Sequence, residues 1–207
     1  MPLSIQEGRT AVQLARGAVE AHLTRGRPPA GDWPPGLFSE LRGVFVTLNV
    51  AGGGRDRLRG CIGFPFPVKR LGDAIQEAAL AAATEDPRFP PVSLDELDSV
   101  KIEVSVLTPP EDAEGPRQSL PSRVRIGEDG LIVSRGYLSG LLLPQVAPEF
   151  GMDQTEFLSQ TCLKAGLPSD AWLNDSTNVQ IFQAEVFAET GPRGKVVRVK
   201  HGELPRA

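Results

Sequence analysis

Residues 44–64 read VFVTLNVAGGGRDRLRGCIGF. In the first third of this stretch every second side chain is apolar, namely Val44, Val46, Leu48 and Val50. Such alternation is typical of a strand that packs on one face. The glycines at 52–54 favour a hairpin into a second strand from about Arg57 to Phe64. A phosphate-binding loop is disfavoured, because it would need Gly-Lys-Ser or Gly-Lys-Thr leading into a helix.

On the N-terminal side of this hairpin, apolar residues at helical spacing predict an amphipathic helix from Ile5 to Thr24, ended by Gly26 and the prolines 28–29. A short helical turn is expected at 37–41. On the C-terminal side, an apolar stripe from Val68 to Ala82 predicts a second long helix.

Further elements are predicted beyond that helix. Alternation predicts a third strand at 101–106, and the prolines and charges of 108–122 indicate a boundary between compact units. The elements expected after it are strands at 124–126, 131–134 and 138–143, a helix from Asp153 to Ala165, and strands at 181–186 and 195–200. Asp153 is suited to cap its helix, because Glu156 follows three residues later.

Composition narrows the class of protein. The formal net charge is −4 over 207 residues, which makes nucleic acid an unlikely partner, since phosphate-backbone binding needs clustered lysines and arginines. Neither a secretory signal nor a membrane-spanning apolar run is present in the sequence. The two cysteines, Cys61 and Cys162, form no Cys-x-x-Cys motif, and a reducing cytosol is the expected location.

Chemistry is expected around Cys61. In a regular strand, Arg55, Arg57, Arg59 and Cys61 share one face, and cationic neighbours lower the pKa of a thiol. Cys61 is then a candidate nucleophile. Two alternatives stay open: a buried cysteine that only packs, and a ligand contact without covalent chemistry. Glycines within a strand, as at Gly60, favour close approach of a ligand or a second backbone.

A general base for Cys61 is harder to find. The two histidines are His22, on the apolar side of the first helix, and His201, near the C-terminus. Glu103 or Asp86 could serve if folding brings either close. The turn that starts at Asp86-Pro87-Arg88 is equally explained as a helix stop with a local ion pair. No metal-ligand motif or dinucleotide fingerprint occurs, so neither a metal nor a cofactor is predicted.

The hexapeptide LRGCIG at 58–63 resembles the segment that identifies the AMMECR-one family. Three further blocks agree in order: DPRFPP at 86–91, VSVLT at 104–108 and LPQVAPE at 143–149. The similarity extends from about Gln6 to Lys200. The family usually has tryptophan where this chain has Met152.

The resemblance implies an α+β fold in two subdomains. A larger lobe, about 1–115 plus 179–207, would have an antiparallel sheet and helices built from both chain ends, and a smaller α/β lobe, about 116–178, would be inserted into it. It also implies a cleft between the lobes that the hexapeptide faces. The residues expected to bind a ligand there are Leu58, Arg59, Gly60, Ile62, Gly63, Asp86, Arg88, Glu103 and Gln145.

The resemblance does not imply a defined reaction. Relatives occur joined to, or encoded near, Memo-type and radical-SAM proteins, which suggests a shared pathway. The expected function is enzymatic or ligand-binding, on a small molecule or peptide, with Cys61 reacting and Arg59 holding an anionic group. The alternative is a non-catalytic protein-binding adaptor or regulatory protein, which the missing base and metal ligands favour.

Overall fold

The computed structural model describes residues 2–25, 31–33, 35–50, 52 and 56–199. Its α-helices are α1 (Ile5–Arg25), α2 (Leu71–Thr84), α3 (Val146–Phe150) and α4 (Gln154–Lys164). Its strands are β1 (Val44–Val50), β2 (Arg57–Phe64), β3 (Val100–Leu107), β4 (Glu111–Asp112), β5 (Asp129–Arg135), β6 (Leu138–Leu142), β7 (Asn178–Glu189) and β8 (Val196–Val199). The described chain divides into two compact units, residues 2–107 with 185–199 and residues 108–184.

The first unit is a sheet covered on one face by helices. Strand β1 pairs antiparallel with β2 on one side and with β3 on the other, and the C-terminal part of β7 pairs with β8. The residues of β1 that alternate inward, Val44, Val46 and Leu48, are fully buried with those of α1 and α2. Strand β2 has β1 as its neighbour and forms an edge of the sheet.

A buried ion pair ties the first unit together. Arg16 on α1 donates from Nε to Glu189 Oε1 at 2.6 Å and from Nη2 to Glu189 Oε2 at 2.5 Å. The same Arg16 Nη2 also donates to the carbonyl oxygen of Val100, and the Ile102 amide donates to Glu189 Oε2 at 3.0 Å. One side-chain pair therefore connects α1, β3 and β7.

The second unit has its own core. Strand β5 pairs antiparallel with β6 and with the N-terminal part of β7, which also pairs with β4. Helix α4 contributes Phe157, Leu158 and Cys162 to the buried cluster. As predicted, Asp153 caps α4, and its Oδ1 accepts a 2.8 Å hydrogen bond from the Glu156 amide.

Two predicted elements are wrong in detail. The strand expected at 124–126 is absent. Residues Pro121–Arg123 form a 3-10 turn, and Val124, which caps the C-terminal end of that turn, is buried. The second helix begins at Leu71, not at Val68, whose side chain is 67% exposed. The Val68 amide donates to the Phe66 carbonyl oxygen, so Val68 lies in a turn before the helix. The apolar pattern in the sequence therefore starts before α2 does.

Several predictions fall on residues outside the described ranges. These are the helix-ending residues Gly26, Pro28 and Pro29, most of the 51–54 loop, Arg55, Lys200 and His201. Among the helices that are described, none is long and apolar enough to cross a membrane.

Candidate functional site around Cys61

A β-bulge at Arg59 sets the direction of the side chains in β2. Thr47 of β1 pairs with Cys61 and Leu48 pairs with Gly60, but Asn49 pairs with Leu58, so Arg59 is the extra residue. The predicted common face of Arg57 and Cys61 is therefore wrong. A bulge breaks the two-residue period, and Arg57, opposite Val50, points away from the Cys61 face.

Cys61 belongs to a row of three side chains across three strands. Thr47 is paired with Cys61 on β2 and with Glu103 on β3, so all three lie on the sheet face opposite the helices. The Thr47 hydroxyl donates a hydrogen bond to Cys61 Sγ at 3.4 Å. Cys61 and Glu103 are both half-buried. The row brings together a thiol, a hydroxyl and a carboxylate.

The turn after α2 binds the open edge of β2 at this position. Asp86 is buried, and its Oδ2 accepts a 2.8 Å hydrogen bond from the Cys61 amide. Arg88 bonds both carboxylate oxygens of Asp86, at 2.9 and 2.7 Å, and reaches the Cys61 carbonyl at 3.4 Å. The helix-stop reading with a local Asp–Arg pair is correct, and the pair additionally holds the Cys61 backbone.

Arg59 is committed to a partner that the sequence did not reveal. Its Nε and Nη2 donate to the two carboxylate oxygens of Glu96 at 2.9 and 3.0 Å. The guanidinium is buried and lies 5.8 Å from the centre of the Phe89 ring. Arg59 Nη1 is also buried, and it has no hydrogen-bond partner among the described residues. The binding of an anionic group by Arg59 stays a prediction.

The other residues of the hexapeptide divide between the two faces. Leu58 is paired with Asn49 and lies on the Cys61 face, whereas Ile62 packs against the helix-covered core. Gly60 faces α2, and a β-carbon there would lie 2.1 Å from the Ala82 carbonyl oxygen. Gly63 lies under the Phe45 ring, where a β-carbon would meet a ring carbon at 2.4 Å. Both glycines are required by close packing.

Gln145 belongs to the second unit, where it precedes α3. The row around Cys61 is built entirely from residues of the first unit. The binding role predicted for Gln145 stays untested. His22 lies half-buried on α1.

The electrostatics of the row differ from the expected activated thiol. Burial raises the pKa of the Cys61 thiol, and the nearby Glu103 and Asp86 raise it further. The hydrogen bond from Thr47 and the charge of Arg88 act in the opposite direction but do not prevail. The prediction of a lowered pKa for Cys61 is therefore wrong, because burial outweighs the neighbouring cation.

Glu103 is the second perturbed group. Burial raises the pKa of its carboxyl to about 7, with Lys101 lowering it and Asp56 raising it. Lys101 forms an ion pair with Asp56. The Glu103 carboxylate accepts no hydrogen bond and forms no ion pair within the part of the chain that is described.

Sequence reasoning missed Thr47 and Glu96. Thr47 could have been found from its place between two apolar residues of β1, opposite the expected hairpin partner. Nothing in the sequence pairs Glu96 with Arg59, 37 positions earlier. Across residues 2–25, 31–33, 35–50, 52 and 56–199, no group of three or more His, Cys, Asp or Glu side chains is placed to hold a metal ion.

Comparison with known proteins identifies the family. The family model described as AMMECR1 matches residues 12–187. A protein of Thermococcus gammatolerans is 54% identical over 194 residues, which cover 92% of this chain and 94% of that protein. A protein of Methanothermobacter thermautotrophicus is 56% identical over 196 residues, covering 92% and 98%.

A solved structure agrees with the fold. The crystal structure of uncharacterized protein PH0010 from Pyrococcus horikoshii matches with a TM-score of 0.82 and 50% sequence identity, covering 94% of this chain and 97% of that one. This fold is mixed α and β, with an antiparallel sheet and helices, as the resemblance implied. The match to the family model, the archaeal relatives and the shared fold together make this chain a member of the AMMECR1 family.

Proposed function

We propose that this protein binds a small molecule or a segment of another protein on the sheet face around Cys61, with Glu103 as the acid–base group of the site. One observation carries the proposal. A half-buried carboxylate with no hydrogen-bond donor among the described residues, that of Glu103 on β3, lies in the same row as the thiol of Cys61 on β2, with Thr47 of β1 between them. Ionisable groups with displaced pKa values concentrate at functional sites.

The thiol acts in its neutral form. A cysteine nucleophile needs a thiolate, and the raised pKa of Cys61 disfavours that state at neutral pH. Glu103 is better matched to proton transfer, since a group with a pKa of about 7 can both take up and release a proton near neutrality. We therefore assign ligand contact to Cys61 and proton exchange to Glu103.

Arg59 supports the site from within the fold. Its bidentate pair with Glu96 connects the bulge of β2 to the segment that precedes β3. We assign this positioning role to Arg59, and the expectation that it also holds an anionic group stays a prediction. The cation nearest the thiol in this proposal is Arg88, whose side chain is 53% exposed.

A non-catalytic adaptor is the second candidate, and one contact favours it. Asp86 and Arg88 already bind both the amide and the carbonyl of Cys61, which is the arrangement expected if this segment only has to be rigid. The pathway link to Memo-type and radical-SAM proteins, implied by the resemblance, stays a prediction. Free Cys61 and Cys162 suit a reducing cytosol.

Alkylation of Cys61 by iodoacetamide tests the proposed function. Cys162 is fully buried, so labelling of native protein reports on Cys61, and Cys61→Ser measures the residual background. We expect slower labelling at pH 7 than for a free model thiol. We also expect Glu103→Gln to shift the labelling profile to lower pH, since the carboxylate charge raises the thiol pKa.

The same labelling reports on binding. Pools of small metabolites and of short peptides are screened for protection of Cys61. Protection by a small molecule that Glu103→Gln weakens supports the enzyme-type site. Protection by peptides alone, retained in Glu103→Gln, supports the adaptor. Absence of protection by either pool, together with an unchanged labelling profile in Glu103→Gln, would overturn the proposal.

A further inference from the structure

We propose that the group recognised at this face is a positively charged nitrogen, an alkylammonium, bound by Glu103 beside Thr47 and Cys61. This inference rests on the proposed function and names the chemistry of its ligand. The ammonium can belong to a free small molecule or to a lysine side chain of a protein segment. Both sources present the same ammonium group to the site.

Charge pairing in the first unit points to a cation. Arg59 is paired with Glu96, Arg88 with Asp86, and Lys101 with Asp56. Each of these pairs is internally neutral. The carboxylate of Glu103 has neither an ion pair nor a hydrogen bond with any residue that the structure describes.

An anionic ligand would therefore meet a carboxylate that has no ion-pair partner among the described residues, whereas a cation would complete a fourth pair. Leaving a partly buried carboxylate unpaired is costly, and a charge-assisted hydrogen bond from a ligand removes that cost.

The hydrogen-bonding groups of the row lead to the same conclusion. The Thr47 hydroxyl uses its single proton to donate to Cys61 Sγ, so its lone pairs remain as acceptors. The Cys61 amide is bonded to Asp86. What the row offers a ligand is thus mainly acceptors, the Glu103 carboxylate and the Thr47 oxygen. An ammonium group carries three donors and no acceptor, which matches this set.

The groups that act on Glu103 predict the pH dependence. On its own strand Lys101 lowers the pKa of Glu103, and Asp56, the residue before β2, raises it. Thr47 and Cys61 are the other neighbours in the row, and both are neutral at pH 7. An alkylammonium stays charged throughout the neutral range. Its affinity should accordingly rise as the pH increases through about 7, where Glu103 ionises.

The experiment uses isotope-labelled full-length protein and three probes of one size: n-butylammonium, butyrate and n-butanol. Chemical shifts of Thr47, Cys61 and Glu103 are followed during titration at pH 6 and pH 8. We expect saturable shifts with butylammonium, stronger at pH 8, and a lower titration midpoint of the Glu103 carboxyl in its presence. Glu103→Gln should weaken binding about tenfold or more, as for loss of one charge-assisted hydrogen bond.

Glu114→Gln serves as the matched control, because Glu114 is an exposed carboxylate of the second unit. It should bind butylammonium as wild type does. A second arm compares acetyl-Gly-Lys-Gly-amide with the same peptide acetylated on the lysine side chain. Binding of the lysine peptide with higher affinity than butylammonium identifies a protein segment as the source, and the reverse order identifies a free amine.

The outcomes separate the two proposals. Equal binding of butylammonium by Glu103→Gln and wild type, or preference for butyrate or butanol, overturns the inference about a cation while leaving the site around Cys61 standing. If none of the probes or peptides shifts these resonances, and no ligand protects Cys61 from labelling, both the inference and the proposed function fail.

Discussion

The carboxylate of Asp86 accepts a 2.8 Å hydrogen bond from the backbone amide of Cys61, 25 residues earlier in the chain. Two of the sequence blocks on which the resemblance was based, LRGCIG at 58–63 and DPRFPP at 86–91, are thus joined by a direct contact. The contact fixes an edge strand at the position where its thiol projects. Arg88 closes the arrangement by bonding both Asp86 and the Cys61 carbonyl.

Asp86→Asn should lower the free energy of unfolding by about 1–3 kcal/mol, because a buried carboxylate that accepts charge-assisted bonds is replaced by a neutral amide. Arg88 holds the pKa of the Asp86 carboxyl well below its ordinary value. The Asp86 carboxylate therefore makes its full contribution to the free energy of unfolding above about pH 4, and this contribution is lost as the pH falls further into the acid range. Urea denaturation at pH 7 and pH 3 measures both effects, and the variant should lose more stability at pH 7.

Glu85→Gln is the control for that comparison. Glu85 precedes Asp86 and is exposed, so its replacement should change stability little at either pH. Equal losses for the two variants would contradict the role given to Asp86.

Gly60→Ala should destabilise the protein by about 1–3 kcal/mol or more, as expected for overpacking against an immobile backbone. The added methyl group would lie 2.1 Å from the Ala82 carbonyl oxygen, so β2 and α2 must separate. Gly17→Ala offers the matched comparison, since nothing lies within 4 Å of the new methyl group. That change should stabilise α1 by about 1 kcal/mol. Thermal unfolding of both variants checks the opposite signs, and a neutral Gly60→Ala would refute the close approach.

Glu103→Gln should raise stability at pH 8. The pKa of Glu103 rises on folding from its ordinary value to about 7, so the folded state holds a proton that the unfolded state releases. The contribution of Glu103 to the free energy of unfolding is at its maximum below about pH 4.5 and falls as the pH rises to about 7. At about 1.4 kcal/mol for each tenfold change in proton affinity, the effect is at most about 3 kcal/mol.

Chemical denaturation of wild type and Glu103→Gln between pH 5 and 8 measures this difference, which should grow as the pH increases. The variant Glu114→Gln should follow the wild-type curve. A constant offset between wild type and Glu103→Gln across the range would show that Glu103 titrates normally.

Glu189→Ala should cost about 3–5 kcal/mol, because it leaves the guanidinium of Arg16 buried without its counter-charge. Asp175→Ala breaks the exposed pair with Arg117, in which the aspartate is 97% exposed, and should cost less than about 1 kcal/mol. Equilibrium unfolding of the two variants distinguishes buried from exposed pairs. Similar losses would mean that the Arg16–Glu189 contact is weak in solution.

Much of the architecture could be predicted from local patterns. The alternation in 44–50 and the bounds of the second strand at 57–64 are as expected, and α1 begins at Ile5 as its apolar spacing indicated. The cap at Asp153 was predictable because both partners lie within one turn of helix. The absence of a strand at 124–126 could not be predicted, since a 3-10 turn and an extended segment place apolar residues at similar short spacings.

The amino-acid order alone determined the hairpin, the long helices, the family, and Cys61 as a residue to consider, because periodicity and short motifs are local properties. Only the folded chain decided that a bulge turns Arg57 away from Cys61, that Arg59 is bound to Glu96, and that the Glu103 carboxylate, beside Thr47, has no partner among the described residues. Each of these depends on which strand or loop lies alongside another. Burial also decided the direction in which the pKa of the Cys61 thiol moves, upward where the nearby arginines had suggested a lower value.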